Sequence, residues 1–331
     1  MIFIRVDGTN IQEIGMGHLY RMIDFSNDLY QKTGVSPVFV IAGYPDTKRM
    51  LEQSNCKYVE INVENEVPEI LHLNSSIKKD ILIIDMCDRE ESYIKKLLEK
   101  FIVISLDDTQ GGPECSDIVF NSVVGSHLKK KNYYYGTDFF LIRPEICQYH
   151  LMDKVISDTV RNLLICFGGS DPCSVNLMML DWLKELKYAG KVDWVLGPSV
   201  ANKDLIIERF KELDFEINPM IDYKDMGKLY FHSDLCITAA GFSLYEAACV
   251  GLPALTICLY PHQSGTAKRF EENGCVVNLG SYKKLNANTF KSEFYKLLND
   301  KTLRCSMSKN GKALVDGMGK NRVLDIISEF F

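Results

Sequence analysis

Ile237–Leu255 reads ITAAGFSLYEAACVGLPAL. An apolar run closes on two small residues, Ala239 and Ala240, and Gly241 turns the chain. Ser243 then stands where a helix cap is expected, with Glu246 three residues on, the spacing of a capping box. Gly251 ends the helix and Pro253 opens another apolar run. A strand, a helix and a second strand in this order read as one unit of a parallel sheet.

The same alternation runs outward in both directions. In the first half IFIRV, SPVFVIAG, DILIID, FIVISLDD and DIVFN read as strands, with helices at RMIDFSNDLYQKT, TKRMLEQS and ESYIKKLLEK. In the second half the strands are NLLICFGG, KVDWVLG, FEINPM, DLCITAA, PALTICL and CVVNLG. Helices fall between them at VNLMMLDWLKELK, DLIIERFKEL, KDMGKLYFHS, SLYEAACVG and SGTAKRFEENG, and a helical region from about residue 288 closes the chain. Continuously apolar strands alternating with helices indicate parallel sheets covered on both faces. The expectation is an α/β chain of two doubly wound, Rossmann-like domains, residues 1–150 and 151–331, facing a central cleft. CQYHLMDKVISDTVRN is read as a helix leading into the second domain, and the last helix is allowed to cross back.

Composition narrows the function. The chain has 331 residues, 46% hydrophobic and 25% charged, with a net charge of −6. That balance argues against nucleic acid or an anionic surface as the main partner. No run approaches the roughly 18 apolar residues of a membrane span. MIFIRVDGTN meets charges at Arg5 and Asp7, as a buried strand does and a signal peptide does not. The eleven cysteines contain no C-x-x-C pair and sit mostly inside apolar runs, which fits reduced, buried side chains in a cytoplasmic protein. No zinc pattern and no cofactor motif is present, and no metal is expected.

In doubly wound sheets ligands bind beyond the carboxyl ends of the strands, so those ends are where chemistry is sought. After the first strand comes IGMGHLYR, Ile14 to Arg21. Gly15 and Gly17 flank a turn that a ligand can approach closely, and His18 follows at the start of a helix. A helix N-terminus disfavours the imidazolium, so His18 is expected neutral and able to accept a proton from water or a hydroxyl. A capping or packing histidine is the plain alternative. Asp7 ends the first strand and can orient a water or a ring nitrogen. Asp85, Asp107 and Asp108 end two further strands at the same edge. In the second half, Gly168 and Gly169 of CFGGSDP make a tight turn beside Ser170. The small residues and helix-start amides of Ala240 to Leu244 suit a diphosphate. His262 and Gln263 end another strand.

Taken together, these phrases resemble a known family. SDLCITAAGFSLYEAACVGLPAL followed by HQ and FEENG is similar to the nucleotide-binding half of GT-B enzymes. IGMGHLYR, ISLDD, SDIVFN, YYGTDFFLIRPEI and ICFGGSDP resemble the UDP-sugar hydrolases of pseudaminic acid biosynthesis and the related spore-coat polysaccharide proteins. The resemblance covers most of the chain. It implies a GT-B fold and a nucleotide-sugar substrate, with His18 as the base that activates water and Asp7 beside it. Together with the strand-end reading it gives a substrate and nucleotide set of Gly15, Gly17, Arg21, Gly168, Gly169, Ser170, Ala240, Gly241, Phe242, Ser243, Leu244, Glu246, His262 and Gln263. Glu246 takes the ribose in that reading. The implied reaction is hydrolysis of a UDP-linked diacetamido-trideoxy sugar at its anomeric carbon. Two departures are visible. Asp85-Met86-Cys87 stands where the hydrolases carry D-H-Y, and His262-Gln263 where they favour Asn-Gln. A glycosyltransferase using a UDP- or CMP-linked sugar therefore stays open, as does a sugar-nucleotide-binding partner without chemistry.

Overall fold

The structure is a computed structural model that describes the whole chain except residues 10–15, 75, 87–88, 108–110, 123–129, 172 and 331. The chain divides into two compact units, one of residues 1–141 with 318–331 and one of residues 142–317.

The first unit holds β1 (Ile2–Arg5), α1 (Gly17–Thr33), β2 (Val38–Ile41), α2 (Pro45–Gln53), β3 (Lys57–Glu60), α3 (Glu66–Leu73), β4 (Asp80–Ile84), α4 (Glu91–Leu97), β5 (Phe101–Leu106), β6 (Ile118–Asn121) and β7 (Tyr133–Tyr135). Its strands form one sheet in the order β3-β2-β1-β4-β5-β6-β7, every pairing parallel. Successive side chains of β1 face opposite layers, as the two-residue period requires. Ile2 and Ile4 pack with Leu19, Met22 and Phe25 of α1, whereas Phe3 packs with Ile70 of α3 and with Ile94 and Leu97 of α4.

The second unit holds α5 (Pro144–His150), β8 (Asn162–Cys166), α6 (Val175–Leu183), β9 (Lys191–Leu196), α7 (Lys203–Arg209), β10 (Glu216–Ile221), α8 (Met226–His232), β11 (Leu235–Ala239), α9 (Phe242–Val250), β12 (Ala254–Cys258), α10 (Gln263–Glu272), β13 (Val276–Ser281), α11 (Ala287–Asn299) and α12 (Lys301–Leu314). Its sheet runs β10-β9-β8-β11-β12-β13, again all parallel. Trp194, fully buried on β9, donates its indole N–H to Asn176 Oδ1 at 2.7 Å. Asp171 serves as the acceptor for the start of α6, taking the amides of Val175 and Asn176 at 2.8 Å each.

The last helix, α13 (Gly319–Ser328), is part of the first unit, where Val323, Leu324 and Ile327 join the layer of α1. The expected helix over Cys147 to Asn162 is much shorter. α5 starts at Pro144, stops at His150, and residues 151–161 are not helical. Lys154 explains the break: its ammonium turns inward to the carbonyls of Tyr230, Phe231 and Ser233, at 2.6 to 3.0 Å. Leu151 and Val155 are left 87% and 83% exposed, so their spacing does not mark a buried face.

Both sheets have the same strand logic. From the first strand of each unit the chain winds one way, then returns to wind the other. The two strands at the reversal, β1 and β4 in one unit and β8 and β11 in the other, open a crevice at their carboxyl ends.

Candidate functional site

At the first reversal His18 is the second residue of α1, following Gly17. No side chain caps this helix start. The ring Nδ1 of His18 lies 2.7 Å from Oδ1 of Asp85, the residue that follows β4. Asp85 is buried, while His18 keeps 24% of its side chain exposed. Arg21, one turn along α1, grips Asp85 with two parallel hydrogen bonds, Nε to Oδ2 at 2.7 Å and Nη2 to Oδ1 at 2.5 Å. Its Nη1 reaches Oδ2 of Asp107, just past β5, at 2.6 Å. Asp107 closes the set by accepting the amide and hydroxyl of Ser122, beyond β6, at 2.7 and 2.6 Å.

Burial works against the charge on Asp85, but the adjacent Arg21 guanidinium and His18 outweigh it and hold its carboxyl well below the usual range. Burial likewise opposes the charge on Arg21, and Asp85 and Asp107 overcome it, so Arg21 stays firmly protonated. An ionised Asp85 can only accept a hydrogen bond. The hydrogen between it and His18 therefore belongs to Nδ1, and a neutral ring carries its lone pair on Nε2. That arrangement, a carboxylate fixing the tautomer of a partly exposed histidine, is how proteins present a general base.

Two expectations change here. Asp7 does not hold the ring. Its oxygens are taken by Arg5 Nη1 at 2.6 Å and by the amide of Ala42 at 2.8 Å, because Arg5 is buried beside it and needs a counter-charge. Arg21 is not a ligand-facing residue; it is buried against two carboxylates. Gly15, Cys87 and Asp108 lie outside the described residues. Sequence reasoning marked Asp85 and Asp107 as strand-end aspartates but not as partners of α1. Among the described residues no group of acidic, histidine and cysteine side chains is arranged to hold a metal ion.

At the second reversal the surroundings are small and backbone-rich. Gly168 adopts φ +89°, and a Cβ at Gly168 or Gly169 would meet open space. Gly197, after β9, packs so closely on this loop that a Cβ there would lie 2.4 Å from the carbonyl oxygen of Gly168. The capping box does not form. The cap of α9 is Gly241, in extended backbone and with no side-chain hydrogen bond, which puts Ser243 inside the first turn and Glu246 a turn further on. The start of α9 thus carries no capping side chain. Glu246 is buried, accepting Arg143 Nε at 2.8 Å and the Tyr230 hydroxyl at 3.1 Å. Burial opposes the charge of Arg143, and Glu246 more than restores it. Leu244 and Ala240 are buried, so their side chains are core and only their backbone can face a ligand.

β12 brings up the remaining wall. Gln263 is buried, accepts the Leu259 amide through Oε1 at 2.8 Å, and brings its Nε2 beside Gly241. His262 is exposed and stacks on Tyr260, with ring centroids 5.4 Å apart. Burial pushes the Tyr260 hydroxyl above its ordinary pKa. A glycine loop, an uncapped helix start and a side-chain amide can together receive an anion through neutral donors.

Residues 163–323 match the C-terminal domain of glycosyltransferase family 28. Across 96% of its length the chain is 27% identical to the spore coat polysaccharide biosynthesis protein SpsG of Bacillus subtilis, 96% of which is covered. The crystal structure of Acinetobacter baumannii MurG superposes with a TM-score of 0.76 at 15% identity, covering 99% of both chains. That of Anabaena HepE in complex with UDP-glucose gives 0.62 at 11% identity, covering all of both chains. The chain has a GT-B-type fold. It has two doubly wound domains of seven and six strands among the described residues, and residues 163–323 are similar in sequence to a glycosyltransferase domain.

Proposed function

We propose that this chain is a nucleotide-sugar-dependent enzyme of polysaccharide biosynthesis, in which His18 deprotonates the oxygen that attacks the anomeric carbon. The observation that carries the reading is the His18–Asp85 pair at the reversal of the first sheet. The first unit supplies the base. Nε2 takes the proton as the new C–O bond forms, and Asp85 stabilises the imidazolium produced. The second unit supplies the nucleotide seat. Amides at the start of α9 and the Gly168–Ser170 loop neutralise the diphosphate as it leaves. The UDP-glucose complex of the similarly folded HepE supports a UDP-sugar as substrate.

The acceptor in the first reading is water. The substrate is then a UDP-linked diacetamido-trideoxy sugar, released free for a nonulosonic acid of the pseudaminic type. The likeness to SpsG, a spore coat polysaccharide biosynthesis protein, supports a place in polysaccharide biosynthesis under either acceptor. Ten described cysteines are free, which suits work in the reducing cytoplasm. A second reading, transfer of a UDP- or CMP-linked sugar to a glycan hydroxyl, is favoured by the match of residues 163–323 to a glycosyltransferase domain.

The deciding experiment begins with thermal shifts in UDP, CMP, GDP and dTDP, since a ligand of the native state raises its melting temperature. The matching nucleotide sugars are then incubated in ¹⁸O-water without acceptor. Label at the anomeric hydroxyl with nucleotide release supports hydrolysis. Release only after an acceptor glycan is added supports transfer. Binding without release under either condition overturns the enzymatic reading.

A further inference from the structure

The buried charges around the first reversal fall into two sets with different sums. In one, Arg5 pairs with Asp7 and Glu66, and Arg89 Nη1 lies 3.6 Å from Glu66 Oε2. Among the described residues two cations meet two anions. In the other, Arg21 pairs with both Asp85 and Asp107. One cation meets two anions, and the described members leave one negative charge over. His18 is the titratable group in contact with that set. Glu13, Asp88 and Asp108 lie outside the described residues.

Arg21 by itself would cancel the charge of Asp85, and Asp85 would then be a weak electrostatic partner for an imidazolium. Asp107 draws on the same guanidinium from its other end. Ser122 holds Asp107 in place with two hydrogen bonds. We infer that Asp107 is a positioning residue that sets the basicity of His18 through Arg21, supplying the negative charge that the imidazolium neutralises. The α1 N-terminus pushes the ring toward the neutral form, and the surplus carboxylate pushes back. The catalytic meaning of this tuning rests on the role of base proposed above; the electrostatics stand apart from it.

The test follows the ring nitrogens of His18 by ¹⁵N-detected NMR through a pH titration, in the wild type and three variants, beside the pH profile of kcat/KM. Asp107→Asn keeps the shape and removes the surplus charge, so the His18 midpoint falls, by on the order of one pH unit. Arg21→Gln removes the compensating cation, so the midpoint rises by a similar amount. Ser122→Ala leaves every charge in place and shifts it by less than about a third of that. Movement in opposite directions in the two charge variants is the expected result, since lost packing gives no reason for opposite signs. Movement in the same direction, or none, overturns the inference. Should Asp107→Asn fail to fold, Asp107→Ser takes its place, and a downward shift there sustains the inference while an unmoved midpoint overturns it. If the acid limb of kcat/KM follows the NMR midpoint, tuning and base both stand. If the midpoint moves and the limb does not, the tuning stands and His18 loses the role of base.

Discussion

At the reversal of the first sheet, three ionised side chains, Arg21, Asp85 and Asp107, lock together with Ser122 behind one histidine. At the reversal of the second, two glycines, an uncapped helix start and the amide of Gln263 meet a rim that carries Tyr260 and His262. Behind it Arg143 is held by two carboxylates, Glu246 at 2.8 Å and Glu145 at 3.1 Å. Both sites sit at the same kind of winding reversal, yet in the proposed reading one moves a proton and the other receives a negatively charged group. The difference teaches that a doubly wound sheet fixes where a site is, while the residues just past the strand ends fix what it does.

Breaking the first half of this contrast has the largest expected effect. His18→Ala lowers kcat by roughly 100-fold or more, while the affinity for UDP, read by calorimetry, stays as it was. A variant turning over at the wild-type rate removes His18 from the reaction, and a large loss of UDP affinity merges two sites described here as separate in chemistry. Gly241→Val attacks the other half. A Cβ there already sits 3.4 Å from Gln263 Nε2, and the branched methyls intrude further on the α9 start. The dissociation constant for UDP rises by about tenfold or more, equivalent to about 1.4 kcal/mol, with kcat at saturation near the wild-type value.

Smaller effects sharpen the comparison through stability. Asp171→Ala strips the α6 start of its acceptor and costs about 1–2 kcal/mol in urea unfolding. The first unit carries an acid response centred on Asp85. The folded Asp85 carboxyl titrates below its unfolded value of about 3.9, so its contribution is full above that pH and lost as pH falls toward the folded value. In Asp85→Asn this part of the acid dependence disappears from the stability-versus-pH curve. An unchanged curve would show that Asp85 titrates alike in both states.

The main strands were legible because parallel strands buried on both faces are continuous apolar runs; IFIR and DILII are buried throughout. β3 and β7 were not read. They are the edge strands of the first sheet, and KYVE and YYY lack a buried apolar run. α3 was hidden by Pro68 in its first turn. His18 could be picked out from its glycine-flanked turn. Its partner could not, since residues 18 and 85 meet only once the sheet brings β1 beside β4. The usable signal was an arginine one helical turn after the histidine together with aspartates at neighbouring strand ends. Glu246 was misread for a local reason. Gly241, rather than Ser243, begins the helix, and the glutamate that fits a capping box on paper turns into the interior toward Arg143.

The return of α13 to the first unit bears on the order of assembly. Residues 142–317 are contiguous and can complete their core as one stretch emerges from the ribosome. The first unit begins earlier but lacks Val323, Leu324 and Ile327 until residues 318–331 have been made. The part of the chain synthesised first is therefore the part finished last, and it waits with the side of α1 that meets α13 uncovered while the second unit folds.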